Sequence, residues 1–195
     1  MKKLTLFIDL DGTVLDVSNR LYRLYSNLLR EFQMTPMYSK EQYMGLRRKG
    51  LSEDAIIKKQ TRGFISRRYM ARRQALVETP EYLGYDLVNK GVREFFEAII
   101  DSHNIVLVTR RKNKDILTLQ LENLDLLKYF ADIVICQEEL KEDSIRKSKC
   151  FIPDNSIVVG DTEDDVVAGN NLGLPTLALT SGLRDEQFLR LYKPA

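Results

Sequence analysis

Two aspartates stand two residues apart where an apolar stretch near the start of the chain ends. The stretch FIDLDGTVLD, residues 7–16, places Asp9 and Asp11 directly before Gly12 and Thr13. Side chains two residues apart in a β-strand point to the same side, so both carboxylates are expected on one face at the strand end. An Asp-Gly turn explains only the second aspartate, and neighbouring carboxylates repel each other. The pair therefore indicates a functional site.

A second acidic group, GDTEDD at residues 160–165, follows another apolar stretch. Acids at the start of a helix suit its dipole, which accounts for Glu163 and Asp164 but less well for Asp161 and Asp165 together. In open parallel α/β sheets, ligands bind beyond the carboxyl ends of the strands, where both acidic groups are expected to meet. Carboxylate oxygens without histidine or cysteine favour a hard cation, so the sequence predicts a Mg²⁺ site.

The elements that position these acids follow from the apolar patterns. Short, β-branched and nearly continuous apolar stretches are typical of strands buried on both faces of a parallel sheet. They are Leu4–Ile8, Ile105–Thr109, Asp132–Cys136, Ser156–Gly160 and Thr176–Thr180. Helical patterns alternate with them, at Val92–Asp101, Lys114–Leu124, Lys141–Lys149 and Asp164–Leu172. This alternation predicts an α/β fold with a Rossmann-like, doubly wound parallel sheet as its core.

The part of the chain between the first two strands breaks the alternation and contains helix candidates but no convincing strand. Ser39 and Gln42 form a capping-box pattern, Ser52 can cap a further helix, and Phe64–Val77 has a helical pattern. The sequence therefore predicts an all-helical insertion at residues 18–87, within an α/β core formed by residues 1–17 and 88–195.

Composition limits the class of protein. No apolar run approaches the roughly 18 residues of a membrane span, and Cys136 and Cys150 are too few for a disulfide framework, so a reducing cytoplasm is expected. The net charge of +2 conceals an uneven distribution. Residues 20–90 contain 15 Lys and Arg against 7 Asp and Glu, which suggests that the insertion and the core have different electrostatic roles.

The motifs resemble those of a known superfamily. DLDGT at residues 9–13, a strand-ending Thr109, a lysine that opens a helix and GDTEDD at residues 160–165 resemble, in this order, the four motifs of the haloacid dehalogenase-like (HAD) hydrolases. The helical insertion is similar to the C1-type cap of that superfamily, and the phosphoglycolate phosphatase and β-phosphoglucomutase-like branch is the most similar variety. The resemblance implies a phosphatase whose cap closes over a small phosphorylated metabolite.

The resemblance also implies a role for each motif. Asp9 would be the nucleophile that forms an aspartyl-phosphate, and Asp11 the general acid and then the base. Thr109 would donate a hydrogen bond to the transferred phosphoryl group. Asp161 and Asp165 would position Mg²⁺, with Asp9 and the main-chain carbonyl of Asp11 as further ligands. Because Asp11 is present, phosphoryl chemistry is favoured over carbon–halogen cleavage.

Substrate contacts are expected from residues next to these motifs. Gly12 would allow a sharp turn that leaves amide hydrogens for phosphate oxygens, and Thr13 and Arg110 are expected to bind the substrate. The lysine of the superfamily often stands before proline, but no Lys-Pro pair precedes Asp161 here. Lys141, which opens a predicted helix, is the preferred site lysine, and Lys147 is the next candidate.

Arg72 is a further candidate, in the basic insertion. It shares an i, i+4, i+7, i+11 row with Ile65, Tyr69 and Leu76, so it interrupts an apolar stripe. A charge on a packing face is costly unless it is paired, so Arg72 is expected to face the crevice and meet an anionic part of the substrate or a core carboxylate. A solvated helical face is the ordinary interpretation of the other arginines, and no recognisable nucleic-acid module is present.

The prediction is therefore a Mg²⁺-dependent HAD-like phosphatase acting on a small phosphomonoester. A phosphomutase of the same fold and a non-catalytic phosphate- or partner-binding module are the alternatives. The sequence leaves the substrate and the oligomeric state open.

Overall fold

The computed structural model describes residues 3–194, which divide into two compact units. One unit is Val17–Leu87, and the other contains the remaining described residues. The strands are β1 (Leu4–Asp9), β2 (Leu15–Asp16), β3 (Leu87–Val88), β4 (His103–Thr109), β5 (Asp132–Ile135), β6 (Ser156–Gly160) and β7 (Thr176–Ala178). The helices are α1 (Ser18–Glu31), α2 (Lys40–Arg48), α3 (Glu53–Thr61), α4 (Ser66–Leu76), α5 (Pro80–Leu83), α6 (Val92–Ile99), α7 (Lys114–Asn123), α8 (Lys141–Lys147), α9 (Glu163–Leu172) and α10 (Glu186–Arg190).

A five-stranded sheet with the order β5-β4-β1-β6-β7 forms the centre of the larger unit. Every pairing in it is parallel, and β2 and β3 form a separate two-stranded sheet. The predicted α/β, Rossmann-like fold class is confirmed. The chain runs outward from β1 to β4 and β5 and then returns to the other side of β1 with β6. Ligands bind at such a reversal, beyond the carboxyl ends of the strands.

The five predicted strands of the core are all present, with ends that differ from the prediction by at most two residues. The sheet register places Asp9 beside Val108 of β4, and Ile8 beside Val159 of β6. Because β1 is flanked on both sides, its last residue lies directly between the ends of β4 and β6. This register brings the three motif-bearing strand ends together.

One face of the sheet packs against the helices that follow β5 and β6. The buried core there contains residues from β1, β4, β6, α8 and α9, and includes the free thiol of Cys136. These residues are Phe7, Val106, Val108, Cys136, Ile145, Val158, Ala168 and Leu174. Their apolar contacts fix α8 and α9 against the sheet, and the first turn of each helix carries a candidate site residue, Lys141 in α8 and Asp165 in α9.

The smaller unit, residues 17–87, is helical. Helix α1 packs against α2, α4 and α5, and Tyr25 of α1 stacks on Tyr43 of α2 with ring centroids 4.6 Å apart. The predicted capping box of Ser39 and Gln42 is formed, and the Ser52 side chain caps α3 as predicted. Both caps satisfy backbone N–H groups that a helix start leaves without an intrahelical partner.

A buried charge network also stabilises the smaller unit. Glu53 is only 4% exposed and accepts hydrogen bonds from the Tyr69 hydroxyl at 2.7 Å, Arg73 Nε at 2.6 Å and Arg47 Nη1 at 3.3 Å. Burial and the adjacent Glu53 carboxylate raise the pKa of Tyr69, which keeps its hydroxyl a donor.

Among residues 3–194, no helix combines the length and the apolar character that crossing a membrane requires.

Candidate active site

Three carboxylates meet at the carboxyl edge of the sheet. Asp9 ends β1, Asp161 directly follows β6, and Asp165 lies in the first turn of α9. One oxygen from each of the three lies within 4.8 Å of the others. The two acidic groups, separated by most of the chain, therefore share a single site, as their positions at strand ends predict.

Lys141 lies between two of these acids. Its Nζ donates to Asp9 Oδ1 at 2.6 Å and also to Asp165 Oδ1, and the residue is 3% exposed. Burial by itself lowers the pKa of Lys141, but the negative charges of Asp165 and Asp9 outweigh it, and the pKa is raised. Lys147 is instead exposed and pairs with Glu139 at 2.7 Å. The geometry thus brings Lys141, and not Lys147, to the site.

Asp165 is organised by its own loop as well as by Lys141. Its Oδ2 accepts from the Thr162 backbone N–H at 3.0 Å and from the Thr162 hydroxyl at 2.7 Å. A Cβ added at Gly160 would overlap with the Asp165 side chain, so this close approach needs glycine. Asp165 therefore fixes both the Lys141 ammonium and the turn that carries Asp161.

Asp161 is fully buried and is also oriented through both oxygens. Thr13 donates its hydroxyl to Oδ1 at 2.9 Å, and the backbone N–H of Leu183 donates to Oδ2 at 2.5 Å. Burial raises the pKa of Asp161 to about 7, although the hydrogen bond from Leu183 acts in the opposite direction. Burial likewise raises the pKa of Asp9, and Asp165 and Asp161 add to that effect while Lys141 opposes it.

This donor set fits a hard divalent cation. All candidate ligand atoms are oxygens, as Mg²⁺ prefers. A carboxylate oxygen has two lone-pair sites, so the oxygens of Asp161 that accept one hydrogen bond can also bind an ion. Burial and repulsion between carboxylates raise the pKa values of Asp9 and Asp161. A divalent cation would lower them again, because it favours the ionised forms.

Asp11 does not share the contacts of Asp9. Its carboxylate accepts two hydrogen bonds from Arg111, Nε to Oδ2 and Nη2 to Oδ1, both at 2.7 Å. The Arg111 side chain is 4% exposed, and its backbone N–H donates to the Thr109 hydroxyl at 3.2 Å. A hydroxyl that accepts one hydrogen bond can still donate its own hydrogen, so this contact is compatible with the donor role predicted for Thr109.

Arg110, the arginine predicted to bind substrate, lies in a different environment. Its Nε donates to Asp164 Oδ2 at 2.8 Å, and both side chains are about half exposed. Its Nη1 donates to the carbonyl of Glu139 at 3.4 Å. The structure therefore places Arg110 at the rim of the site, where its substrate role stays a prediction.

The turn after Asp11 differs in one respect from the expectation. Gly12 adopts a φ of 103°, which favours glycine, and a Cβ there would overlap with the Asp161 carboxylate. However, the Gly12 N–H donates to the Leu15 carbonyl at 2.8 Å, so this amide closes the turn and is not left for a phosphate oxygen. Thr13, also predicted to bind substrate, directs its hydroxyl to Asp161.

Arg72 is exposed, contrary to the packing-face argument that singled it out. Its Nε pairs with Glu31 Oε1 at 2.9 Å, and the two side chains are 48% and 47% exposed. Tyr69 of the same row is buried, but Ile65 and Leu76 are only partly buried. The row is therefore not a continuous packing face, and the charge of Arg72 is compensated by Glu31 at the surface. Its substrate role stays a prediction.

Two parts of the site are not among the residues predicted from the sequence. Arg111 could have been found, because the same two-residue period that relates Asp9 to Asp11 relates Thr109 to Arg111. The segment at residues 180–185, which carries the Leu183 N–H, has no recognisable motif. Its path after β7 brings it to Asp161, and no local pattern predicts that path.

Fold and site together define a Rossmann-like α/β protein with a lysine-bridged carboxylate centre at the carboxyl edge of its sheet. The family model of the haloacid dehalogenase-like hydrolases matches residues 6–179, and the chain belongs to this family. The resemblance in its motifs is thereby confirmed.

Individual relatives agree with this family. The chain is 24% identical over 205 residues to pyrophosphatase PpaX of Bacillus mycoides (strain KBAB4), an alignment that covers 100% of this chain and 91% of that protein. The match to pyrophosphatase PpaX of Bacillus cereus (strain G9842) is 27% identical over 119 residues and covers 56% of this chain. It spans only about half of that relative, 52% of its length.

Solved structures show the same fold. A haloacid dehalogenase-like family hydrolase from Streptococcus pneumoniae superposes with a TM-score of 0.71 at 22% identity, covering 98% of this chain and 91% of that one. A protein described as a predicted phosphoglycolate phosphatase from Haemophilus somnus 129pt has a TM-score of 0.75 at 20% identity, with coverage of 98% and 91%. At these identities the likeness concerns the fold alone.

Proposed function

We propose that this protein is a Mg²⁺-dependent phosphatase that hydrolyses a small phosphomonoester through an aspartyl-phosphate at Asp9. The observation that carries the proposal is the convergence of Asp9, Asp161 and Asp165, whose oxygens lie within 4.8 Å of one another, with Lys141 on Asp9. Family membership supports the reaction class. A cytoplasmic location belongs to the proposal and is supported by the free thiols of Cys136 and Cys150.

Asp9 is assigned as the nucleophile. Lys141 donates to Oδ1, which leaves Oδ2 as the oxygen that forms the new bond to phosphorus while the bond to the leaving oxygen breaks. The Lys141 ammonium would also provide a positive charge for the phosphoryl group transferred to Asp9. Thr109, buried at the end of β4, is assigned as a hydroxyl donor to that group.

Asp11 is assigned as the acid and base. It would give a proton to the departing oxygen and later accept one from the water that cleaves the aspartyl-phosphate. Each of its oxygens accepts one hydrogen bond from Arg111 and keeps a second lone-pair site for the proton that is transferred. Arg111 therefore determines the position of the Asp11 carboxylate before the proton transfer.

Asp9, Asp161 and the main-chain carbonyl of Asp11 would hold the cation, with Asp165 close by. When bound, Mg²⁺ offsets the negative charge of the carboxylates and of the phosphoryl group. Asp161 is already oriented for this by Thr13 and Leu183.

Inorganic pyrophosphate is a second candidate substrate. Relatives that align with the whole of this chain are named pyrophosphatase PpaX. In this chain a basic run, Arg110 to Lys112, directly follows Thr109, and cationic side chains there would suit a substrate with a second phosphate group. Arg110 and Lys112 are the exposed members of this run, and Arg110 pairs with Asp164.

The test is a phosphate-release screen over sugar phosphates, phosphoglycolate, nucleotides and pyrophosphate, with Mg²⁺ or with EDTA. We expect Mg²⁺-dependent release that Asp9→Asn abolishes, and a phosphorylated peptide containing Asp9 in acid-quenched samples. Lys141→Met should lose activity, whereas Lys147→Met, on the same helix but exposed, should retain it.

Phosphoryl transfer between positions of a sugar phosphate without phosphate release would indicate a phosphomutase instead. No turnover of any compound with Mg²⁺ would favour a non-catalytic binding module and overturn the proposal.

A further inference from the structure

The segment at residues 180–185, between β7 and α10, forms one wall of the carboxylate site. The Leu183 backbone N–H donates to Asp161 Oδ2 at 2.5 Å. Gly182 packs so closely that a Cβ on it would overlap with the Asp161 side chain. Asp161 is therefore oriented by a backbone donor from a segment that lies outside the four family motifs.

An ion pair fastens this segment to the loop that carries Asp161. Arg184 Nε and Nη2 donate to Glu163 Oε2 and Oε1 at 2.6 Å and 2.8 Å, a two-bond arrangement that fixes both distance and orientation. Arg184 Nη1 also donates to the Leu183 carbonyl at 3.0 Å. The Arg184 side chain is 10% exposed, and its guanidinium lies over the Phe188 ring at 5.4 Å.

The positions of these residues connect the ion pair to the metal ligand. Arg184 is the chain neighbour of Leu183, which donates to Asp161, and Glu163 follows Asp161 by two residues. The ion pair between Arg184 and Glu163 therefore lies next to the hydrogen bond from Leu183 to Asp161 and joins the same two chain segments. The segment itself runs from the strand end at Ala178 to the start of α10.

We propose that Arg184 is a positioning residue for divalent-cation binding: its pair with Glu163 keeps the Leu183 N–H on Asp161 and so orients that carboxylate toward the cation. The inference rests on the metal site of the proposed function. Residues that orient a metal ligand by hydrogen bonds typically change metal affinity about 10- to 100-fold when they are removed.

Charge alone predicts the opposite result, which makes the proposal testable. Arg184 is a cation near a cation site, so a purely electrostatic account predicts that its removal strengthens Mg²⁺ binding. Positioning predicts that its removal weakens Mg²⁺ binding, because Leu183 no longer holds Asp161. The direction of the change in dissociation constant for Arg184→Met separates the two.

The experiment measures Mg²⁺ binding to the full chain by titration calorimetry, for wild type, Arg184→Met, Glu163→Gln and the double variant. Arg190→Met is the matched control, because Arg190 forms an exposed pair with Glu186 on α10. We expect the dissociation constant to rise about 10-fold in both single variants and no further in the double variant, since both remove one interaction. The control should bind as wild type does. Hydrogen exchange of the Leu183 amide should be faster in Arg184→Met.

The outcomes distinguish this inference from the proposed function. If wild type binds no Mg²⁺, the proposed function fails. If wild type binds, Asp161→Asn does not, and Arg184→Met binds as tightly as wild type or more tightly, only the positioning role is overturned. If Arg184→Met does not fold, Arg184→Lys, which keeps the charge but cannot form the same two-bond arrangement, must still bind more weakly than wild type.

Discussion

Arg111 holds both carboxylate oxygens of Asp11, with each contact at 2.7 Å. The two residues are 100 positions apart in the chain, and parallel pairing of β1 with β4 brings them together. The neighbouring Arg110 pairs with Asp164 instead. Of the two arginines that follow Thr109, Arg111 therefore contacts the predicted catalytic residue Asp11, and Arg110 pairs with Asp164.

Removing Arg111 should impair the catalytic step more than substrate binding. Without its two bonds, the Asp11 carboxylate loses its fixed starting position, although Asp11 itself is still present. We therefore expect Arg111→Met to lower kcat about 10- to 100-fold, less than most of the roughly 10²- to 10⁴-fold range of general acid–base catalysis, with a smaller change in KM. Arg111→Lys should recover only part of the rate, because an ammonium cannot form the same two bonds. Steady-state kinetics on the substrate found in the screen measures this. A normal kcat in Arg111→Met would exclude the positioning of Asp11 by Arg111.

Lys141 should be important for stability as well as for activity. Its removal leaves Asp9 and Asp165 as buried carboxylates without their cation, and breaking a buried ion pair typically costs about 3–5 kcal/mol. We expect Lys141→Met to lower the free energy of unfolding by that order, measured by urea denaturation without divalent cations. Lys147→Met removes an exposed pair with Glu139 and should change it by less than about 1 kcal/mol. Equal effects of the two substitutions would contradict this account.

The stability of the cation-free protein should depend on pH through Asp161. Burial raises the pKa of Asp161 from 3.8 to about 7, so between these values the folded form holds a proton that the unfolded form has released. The contribution of Asp161 to stability is therefore present at low pH and is lost as pH rises toward 7, with a slope of at most about 1.4 kcal/mol per pH unit.

Urea denaturation in EDTA between about pH 4 and pH 8 measures this slope. Asp161→Asn does not titrate, so its stability should fall less steeply with pH than that of wild type. Mg²⁺ should reduce the fall in wild type, because a cation favours the ionised carboxylate. Identical slopes for wild type and Asp161→Asn would show that Asp161 is not the group responsible.

The buried network around Glu53 should contribute far more to the stability of the helical unit than the exposed pair of Arg72 and Glu31 does. Glu53→Gln leaves Arg73 and Arg47 without their shared carboxylate, and we expect a loss of about 3 kcal/mol or more. Glu31→Gln, which removes only the half-exposed partner of Arg72, should cost less than about 1 kcal/mol. Urea denaturation of both variants provides the comparison. A small effect of Glu53→Gln would mean that the network contributes little to net stability.

The sequence by itself determined the parts of this protein that depend on local pattern. The near-continuous apolar stretches identified the strands of the core, because a strand buried on both faces tolerates few polar side chains. The rule that ligands bind at the carboxyl ends of parallel strands then placed Asp9 and Asp161 in one site. The helix caps at Ser39 and Ser52 were also predictable, since a cap involves residues only three positions apart.

Only the tertiary structure decided which side chains meet across long separations. Lys141 and Lys147 lie on one short helix, and the packing of that helix on the sheet directs the first to Asp9 and leaves the second exposed. Arg111, Leu183 and Arg184 reach the site because strand order and loop path bring distant segments to one edge. Arg72 lies on a helix whose row of apolar residues is only partly buried. Such contacts depend on the arrangement of whole elements in space, and periodicity along the chain carries no information about that arrangement.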